Sequence, residues 1–137
     1  MPQPLTDQSR RFLEEQRFAV LSTLNPDGTP QQSTVWYEVQ GDEIMMNTKR
    51  GRLKDRNLRR DPRCSVCVED GYTYVAIRGT VRLIDDQETT QADVRRLAIL
   101  NHGPEKAERQ MAGQFNNEER VTIRLTMERI SEYGVEE

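Results

Sequence analysis

The feature that most constrains this chain is a succession of short apolar segments between Phe18 and Ile84, each cut off by turn-forming residues. Phe18–Leu24 (FAVLSTL) reads as a strand and is punctuated by Asn25-Pro-Asp-Gly28, where proline pre-sets a turn and glycine accepts a positive φ. Gln31–Val39 (QQSTVWYEV) follows as a second strand, so the pair predicts a hairpin. Gln40-Gly41-Asp42 is the next turn and Glu43–Asn47 (EIMMN) a third strand. Arg63–Glu69 and Tyr72–Ile84 are strands separated by Asp70-Gly71. Gly79 within the long strand marks a bulge or a close backbone approach. Arg120–Glu128 alternates, with Val121, Ile123 and Leu125 on one face, and reads as the closing strand.

Helical signals are inserted among these strands rather than alternating with each one. Asp7 to Gln16 predicts a leading helix with Asp7 as N-cap and Phe12 and Leu13 on the buried side. Gly51–Arg60 predicts a short surface helix, stopped at Asp61 by Pro62. Asp85 and Glu88 have capping-box spacing ahead of a helix that places Val94, Leu97, Ala98 and Asn101 on one face, and His102-Gly103-Pro104 ends it. A polar helix from about Pro104 to Met111 follows. Antiparallel hairpins with inserted helices disfavour a doubly wound parallel fold. They favour a small antiparallel barrel, mainly β with some α, in one domain over residues 1–137.

Composition narrows the function. The apolar share is 34 % and mean hydropathy is -0.86, lean for a globular chain, so a modest core and burial through oligomerisation are expected. A net charge of -3 speaks against a nucleic-acid partner. The opening Met1-Pro-Gln-Pro-Leu-Thr-Asp7 has no apolar run of a signal peptide, and no stretch approaches the roughly 20 apolar residues of a membrane helix. A cytoplasmic location without membrane association is the expectation.

Several chemistries find no motif: G-x-G-x-x-G, the Walker loop and the G-x-S-x-G elbow are absent, and the single histidine, His102, excludes a histidine-rich metal site. Cys64 and Cys67 have C-x-x-C spacing, but on a strand residues three apart point to opposite faces. They are expected as buried strand cysteines, with no metal bound. Charge is concentrated between Lys49 and Arg63, where Lys49, Arg50, Arg52, Lys54, Arg56, Arg59, Arg60 and Arg63 face only Asp55 and Asp61. A local basic patch on an acidic chain suits a small anionic ligand. Here a strand end delivers Thr48 and Lys49 to a turn, and a helix start follows carrying Lys54. Hydroxyl, ammonium and free helix N–H groups are the common parts of a phosphate site.

The ordered run Val35-Trp-Tyr-Glu-Val-Gln-Gly-Asp-Glu-Ile44, Thr48, Lys54, Asn57-Leu-Arg-Arg-Asp-Pro-Arg63 and Tyr72–Gly79 resembles the pyridoxamine-phosphate-oxidase-like split barrels. Within them it is most similar to the branch that uses the deazaflavin coenzyme F-420. The resemblance implies an antiparallel split β-barrel that works as a homodimer with cofactor sites at the interface. It places Gln32, Ser33, Thr34, Val35, Trp36 and Tyr37 along the tricyclic ring, with backbone groups on the pyrimidine edge. It places Thr48 and Lys49 at the ribityl chain and phosphate, Lys54 at the phosphate with Asn57 near it, and Tyr74 against the ring. Gln32 stands where FMN-dependent oxidases carry an arginine, and Leu53-Lys54 where they carry a basic pair, which directs the resemblance from FMN toward F-420. Arg50 and Arg52 would serve an anionic oligoglutamate tail.

The expected activity is hydride delivery from reduced F-420 to an electrophilic unsaturated or quinone-like small molecule, with no residue assignable as catalytic. The rivals are an FMN-binding oxidoreductase on the same barrel and a non-catalytic carrier of a flavin or deazaflavin. Trp36 is equally open to a core role.

Overall fold

The computed structural model describes residues 3–135. In chain order the elements are α1 (Asp7–Glu14), β1 (Ala19–Leu24), β2 (Pro30–Val35), β3 (Glu38–Gln40), β4 (Glu43–Lys49), α2 (Leu53–Arg60), β5 (Arg63–Asp70), β6 (Thr73–Ile84), α3 (Gln87–His102), α4 (Pro104–Gly113), a 3-10 turn (Phe115–Asn117), β7 (Arg120–Thr126) and β8 (Arg129–Tyr133). Every strand pairing is antiparallel, and the strands run β2-β1-β5-β6-β7-β4-β3 across one sheet, with β8 paired to β6 off that path. The expected barrel is therefore an open, curled half-barrel: β2 and β3 end the path and do not pair with each other.

The sheet turns at Gly79. Residues Tyr74–Arg78 of β6 pair with β8, whereas Val81–Ile84 pair with β7. A Cβ at Gly79 would lie 1.9 Å from the Thr126 carbonyl oxygen, so only glycine lets the β7–β8 connection cross here. The anticipated closing strand is accordingly two strands, broken at Met127-Glu128, and Glu128 N donates to Arg78 O at 3.1 Å.

The hollow of the sheet holds the main core, with Leu21, Ile44, Met46, Val66, Ile77, Ile123 and Leu125 inside it and Phe12 and Leu13 of α1 packed over it. Thr6, one residue before the expected Asp7, caps α1 by accepting from Ser9 N, which leaves Asp7 as a first-turn acid on the helix dipole. The second strand is shorter than its apolar pattern. It stops at Val35 because Tyr37 turns into the core, where its hydroxyl donates to Leu13 O at 2.6 Å and its carbonyl accepts from Gln16 Nε2 at 2.8 Å. The chain then leaves β1 and joins β4 as β3. Two helix starts also shift: α2 begins at Leu53 rather than Gly51, and α3 is capped by Asp86 rather than Asp85. Asp85 is instead bonded to Arg50 and Arg59.

Helices α3 and α4 form a hairpin around Gly103, whose φ of 82° is open to glycine. Val94, Ala98, Ala107, Met111 and Phe115 make a second small core there, and Trp36 packs against it. That contact brings the helical hairpin beside the end of β2. Among the described residues, no helix is long and apolar enough to cross a membrane.

A cationic and aromatic cavity as the candidate cofactor site

Between the end of β4, the start of α2 and the helical hairpin lies a cavity of about 330 Å³. Lys49, Arg52, Lys54 and Arg120 supply its charge, while Phe18, Val35, Trp36, Val94, Leu97 and Phe115 supply its apolar wall. Trp36 stands edge-on to Phe115 at 6.1 Å and to His102 at 5.3 Å between ring centroids. The cavity thus combines cations with an apolar and aromatic wall, and the two meet where the Arg120 Cζ lies 4.8 Å from the Phe115 ring centroid. A larger open groove of about 900 Å³ runs over the outer face of the sheet past Ser22, Ser65 and Arg78, but it has no comparable apolar wall of aromatic rings.

The charged half is built from β4 and the turn after it. Register pairs Lys49 with Arg120 across β4 and β7, which places two cations side by side. The turn at Gly51, with φ of 90°, is fixed by the fully buried Asp55, which accepts from Gly51 N at 2.8 Å and from Arg59 Nε at 2.9 Å. Among the described residues no side chain caps the first turn of α2, so its N–H groups stay free beside Arg52 and Lys54. Lys54 is half-buried, and its ammonium is held below the usual lysine range by burial first and then by Arg52 and Arg120. Arg120 is also lowered, mainly by burial, although Glu118 opposes that shift.

The structure sorts the residues that sequence reasoning assigned to the site. Thr34, Val35, Trp36, Thr48, Lys49 and Lys54 line this one cavity. Gln32 does not: it faces outward on β2, opposite Ser22. Ser33 points to the other side of the strand with its hydroxyl buried and unpartnered. Two more lie outside the cavity lining. Tyr37 is fully buried beneath α1, and Asn57 is a buried tie that donates to Thr23 Oγ1 at 3.1 Å and Asn25 Oδ1 at 3.0 Å, holding α2 to the first hairpin. Tyr74 lies on the open outer face, stacked on Tyr133 at 6.0 Å, outside this cavity.

The cysteine expectation is half corrected. Cys64 is buried, with its thiol pushed up to about 12 by burial, but Cys67 is only half-buried on the opposite face of β5.

Sequence reasoning missed Arg120, Asn47, Phe18, Phe115 and the wall residues of α3. The one available signal for Arg120 was an arginine opening an alternating strand. Its meaning depends on the register with Lys49, which the sequence does not print.

The family model for pyridoxamine 5'-phosphate oxidase matches residues 5–133. The chain belongs to the pyridoxamine 5'-phosphate oxidase family. A conserved hypothetical protein from Mycobacterium tuberculosis superposes with a TM-score of 0.81 at 28 % identity, covering 98 % of this chain and 87 % of that one. A solved F-420 reductase superposes at 0.75 with 26 % identity, covering 93 % and 98 %. General stress protein 26 of Bacillus anthracis shares the fold at 0.69 and 16 % identity, covering 92 % and 91 %. Membership in this oxidoreductase family fixes the broad class of the protein and leaves the cofactor to the chemistry of the cavity.

Proposed function

We propose that the chain is a flavin-dependent oxidoreductase whose cavity holds the phosphate and ribityl end of FMN. The observation that carries this reading is the mixed lining of the cavity: four cations, Lys49, Arg52, Lys54 and Arg120, share it with Trp36 and Phe115. Family membership supports FMN, and so does the density of charge around Lys54, which suits a phosphate monoester. The volume of about 330 Å³ is at the small end for a cofactor pocket, so the ring system would extend past Thr34 toward the open face of β1 and β2. As the end of the sheet path, β2 has one row of backbone N–H and C=O groups without a strand partner among the described residues, and these are suited to the polar edge of a flavin ring.

A bound flavin supplies hydride transfer; the chain binds and orients it. Lys49, Lys54 and Thr48 hold the phosphate end, the free N–H groups of α2 add to it, and Trp36 with Phe115 keeps water from one side of the pocket. The acceptor would be an electrophilic unsaturated or quinone-like small molecule. A second protomer laid on the open face near Phe18, Val20 and Tyr74, all exposed, would close the ring pocket and place Tyr74 of one chain within reach of the other's cofactor.

F-420 is the second reading. It is favoured by the similarity to an F-420 reductase and by the outward Gln32, where FMN oxidases carry an arginine. Fluorescence titration with FMN and with F-420 separates the two. Micromolar or tighter FMN binding with weak F-420 binding is the expected outcome, and the opposite preference moves the protein to the deazaflavin branch. Binding of neither ends the flavin reading, and tight binding without turnover of quinone or enone acceptors would make the protein a carrier.

A further inference from the structure

Strand register sorts the outer face of the sheet into rows. Val20 of β1 lies opposite Cys67 of β5, Cys67 opposite Ala76 of β6, and Ala76 opposite Ser131 of β8. One row further along, in the same order, stand Ser22, Ser65, Arg78 and Arg129. The first row holds no side chain larger than valine. The second ends in two arginines that face each other across an antiparallel ladder. Like charges directly opposite on neighbouring strands destabilise a sheet, so the Arg78–Arg129 pair works against the free protein.

Both arginines are exposed and line the groove of about 900 Å³, with Ser22 and Ser65 beside them. Among the described residues neither forms an ion pair. Arg63, at the same groove, is already held by Asp61 through its Nε at 3.0 Å and its Nη2 at 2.7 Å. Glu128 is the one carboxylate in the lining among the described residues. It accepts from Thr80 Oγ1 at 3.0 Å and stands beyond ion-pair distance of Arg78 and Arg129. Two arginines less Glu128 leave one net positive charge, which a single carboxylate balances. Guanidinium forks with serine hydroxyls next to them supply the donors that a carboxylate accepts from.

The groove adjoins the proposed place of the cofactor ring. Thr34, past which that ring would extend, is paired with Val20, and Ser22 is the next residue of β1 on the same face. Arg78 stands two strands over from β1, ~10 Å at the usual spacing of neighbouring strands. We propose that Arg78 and Arg129 form the carboxylate-binding end of the acceptor site, so that the acceptor is an electrophilic unsaturated or quinone-like acid whose carboxylate lies roughly 10 Å from the carbon that is reduced. The inference rests on the flavin reading for the role of the bound molecule, and not for the binding of a carboxylate. Reduction takes up one hydride, as the reduced flavin is oxidised, and one solvent proton; the carboxylate is unchanged. The two arginines therefore act by binding, and they set which acceptor is chosen.

The binding test needs no cofactor. Its probe is 6-(2-naphthyl)hexanoate, a flat ring system with a carboxylate on a flexible tether, titrated into nitrogen-15-labelled protein alongside its primary amide. The Nε–Hε resonances of Arg78 and Arg129 should shift with the acid, which should bind about 10- to 100-fold more tightly than the amide. Arg78→Met and Arg129→Met should each weaken the acid about 10-fold and the amide by no more than about twofold, with Arg78→Lys in between. Near-UV circular dichroism checks that each variant folds, and either methionine variant suffices. Equal affinities for acid and amide, or arginine resonances that stay in place, would overturn the proposal.

The kinetic test uses the flavin-loaded protein and a naphthoquinone carrying the same hexanoate tail, compared with its methyl ester. The KM of the acid should rise about 10-fold in either methionine variant, and that of the ester should not follow it. Equal rises would remove the arginines from the acceptor site. If the wild type turns over neither quinone, the oxidoreductase reading fails, the acceptor role falls with it, and the titration alone decides the carboxylate site. A second copy of the chain is the rival occupant of the groove. Loss of a wild-type dimer in sedimentation of the Arg78→Met/Arg129→Met double variant would assign the pair to a protein contact and overturn the proposal.

Discussion

Between Lys49 and Arg63, six of the eight cations fall in two neighbourhoods with opposite surroundings, while Arg56 and Arg60 belong to neither. On the flank of α2 away from the cavity, Arg59 is paired with Asp55 at 2.9 Å and Asp85 at 2.5 Å, Arg50 with Asp85 at 3.0 Å, and Arg63 with Asp61 at 2.7 Å. At the cavity, Lys49, Arg52 and Lys54 have no such partner among the described residues. Two groups of the same residue types, interleaved in sequence, thus differ in what balances their charge. Among the paired cations, Arg59 ties α2 to the chain just after β6 through Asp85; the unpaired ones at the cavity repel one another, which is a reason to expect a ligand there. A charge run becomes informative about binding once its carboxylates have been located.

The largest effect should come from Asp55, because it belongs to both neighbourhoods. It is 2 % exposed, pairs with Arg59 and also accepts from Gly51 N at the turn that presents Arg52 and Lys54. Asp55→Ala leaves Gly51 N and Arg59 Nε without their acceptor, although the Nη groups of Arg59 keep Asp85. A stability loss of about 3 kcal/mol is expected from urea denaturation. FMN affinity should fall as well, since the turn is no longer fixed. A variant with normal stability would show that the paired side of the comparison is only decorative.

Lys54→Ala comes next and should do the reverse. Losing a charge-assisted contact should weaken FMN binding by about 1.5–3 kcal/mol. The apoprotein should be no less stable, because an unpaired, half-buried ammonium repelled by Arg52 and Arg120 is being removed. Titration of the variant together with its urea midpoint checks both signs. Weaker binding accompanied by a lower midpoint would place Lys54 with the structural cations and erase the distinction.

These two residues also show how far the sequence was legible. The hairpin at Asn25–Gly28, the helix stop before Pro62 and the close approach at Gly79 were readable because each is a local backbone constraint. Lys54 was readable through a strand-turn-helix pattern that lies within a few residues. Tyr37 and Asn57 sit in the same recognisable stretches, but what they touch, Leu13 in one case and Thr23 with Asn25 in the other, comes from distant parts of the chain. Alternation therefore carried the second strand past Val35, where burial of Tyr37 ends it. Arg120 and its support on Asn47 were invisible for the same reason: 73 positions separate them, and only the pairing of β4 with β7 joins them.

The smallest effect, and the sharpest check on the paired side, is the pH response of Asp61. Its carboxyl is lowered from 3.8 to about 2, first by its hydrogen bond to the Arg63 side chain and then by the Arg63 backbone N–H. A carboxyl depressed in the folded state binds its proton more readily when unfolded. Its contribution to stability is therefore complete above about pH 3.8 and is lost as pH falls toward 2. The pair is on the surface, so the amplitude should be small and should shrink further in high salt. Other carboxylates titrate in the same range, Asp85 beside Arg59 among them, so the wild-type profile alone does not isolate Asp61. The difference between wild type and Asp61→Asn does. Urea midpoints of the two should diverge above pH 4 and converge between pH 4 and 2. Parallel profiles would mean that the Asp61–Arg63 pair leaves stability untouched, and that pairing on the outer flank of α2 is carried by Asp55 and Asp85 alone.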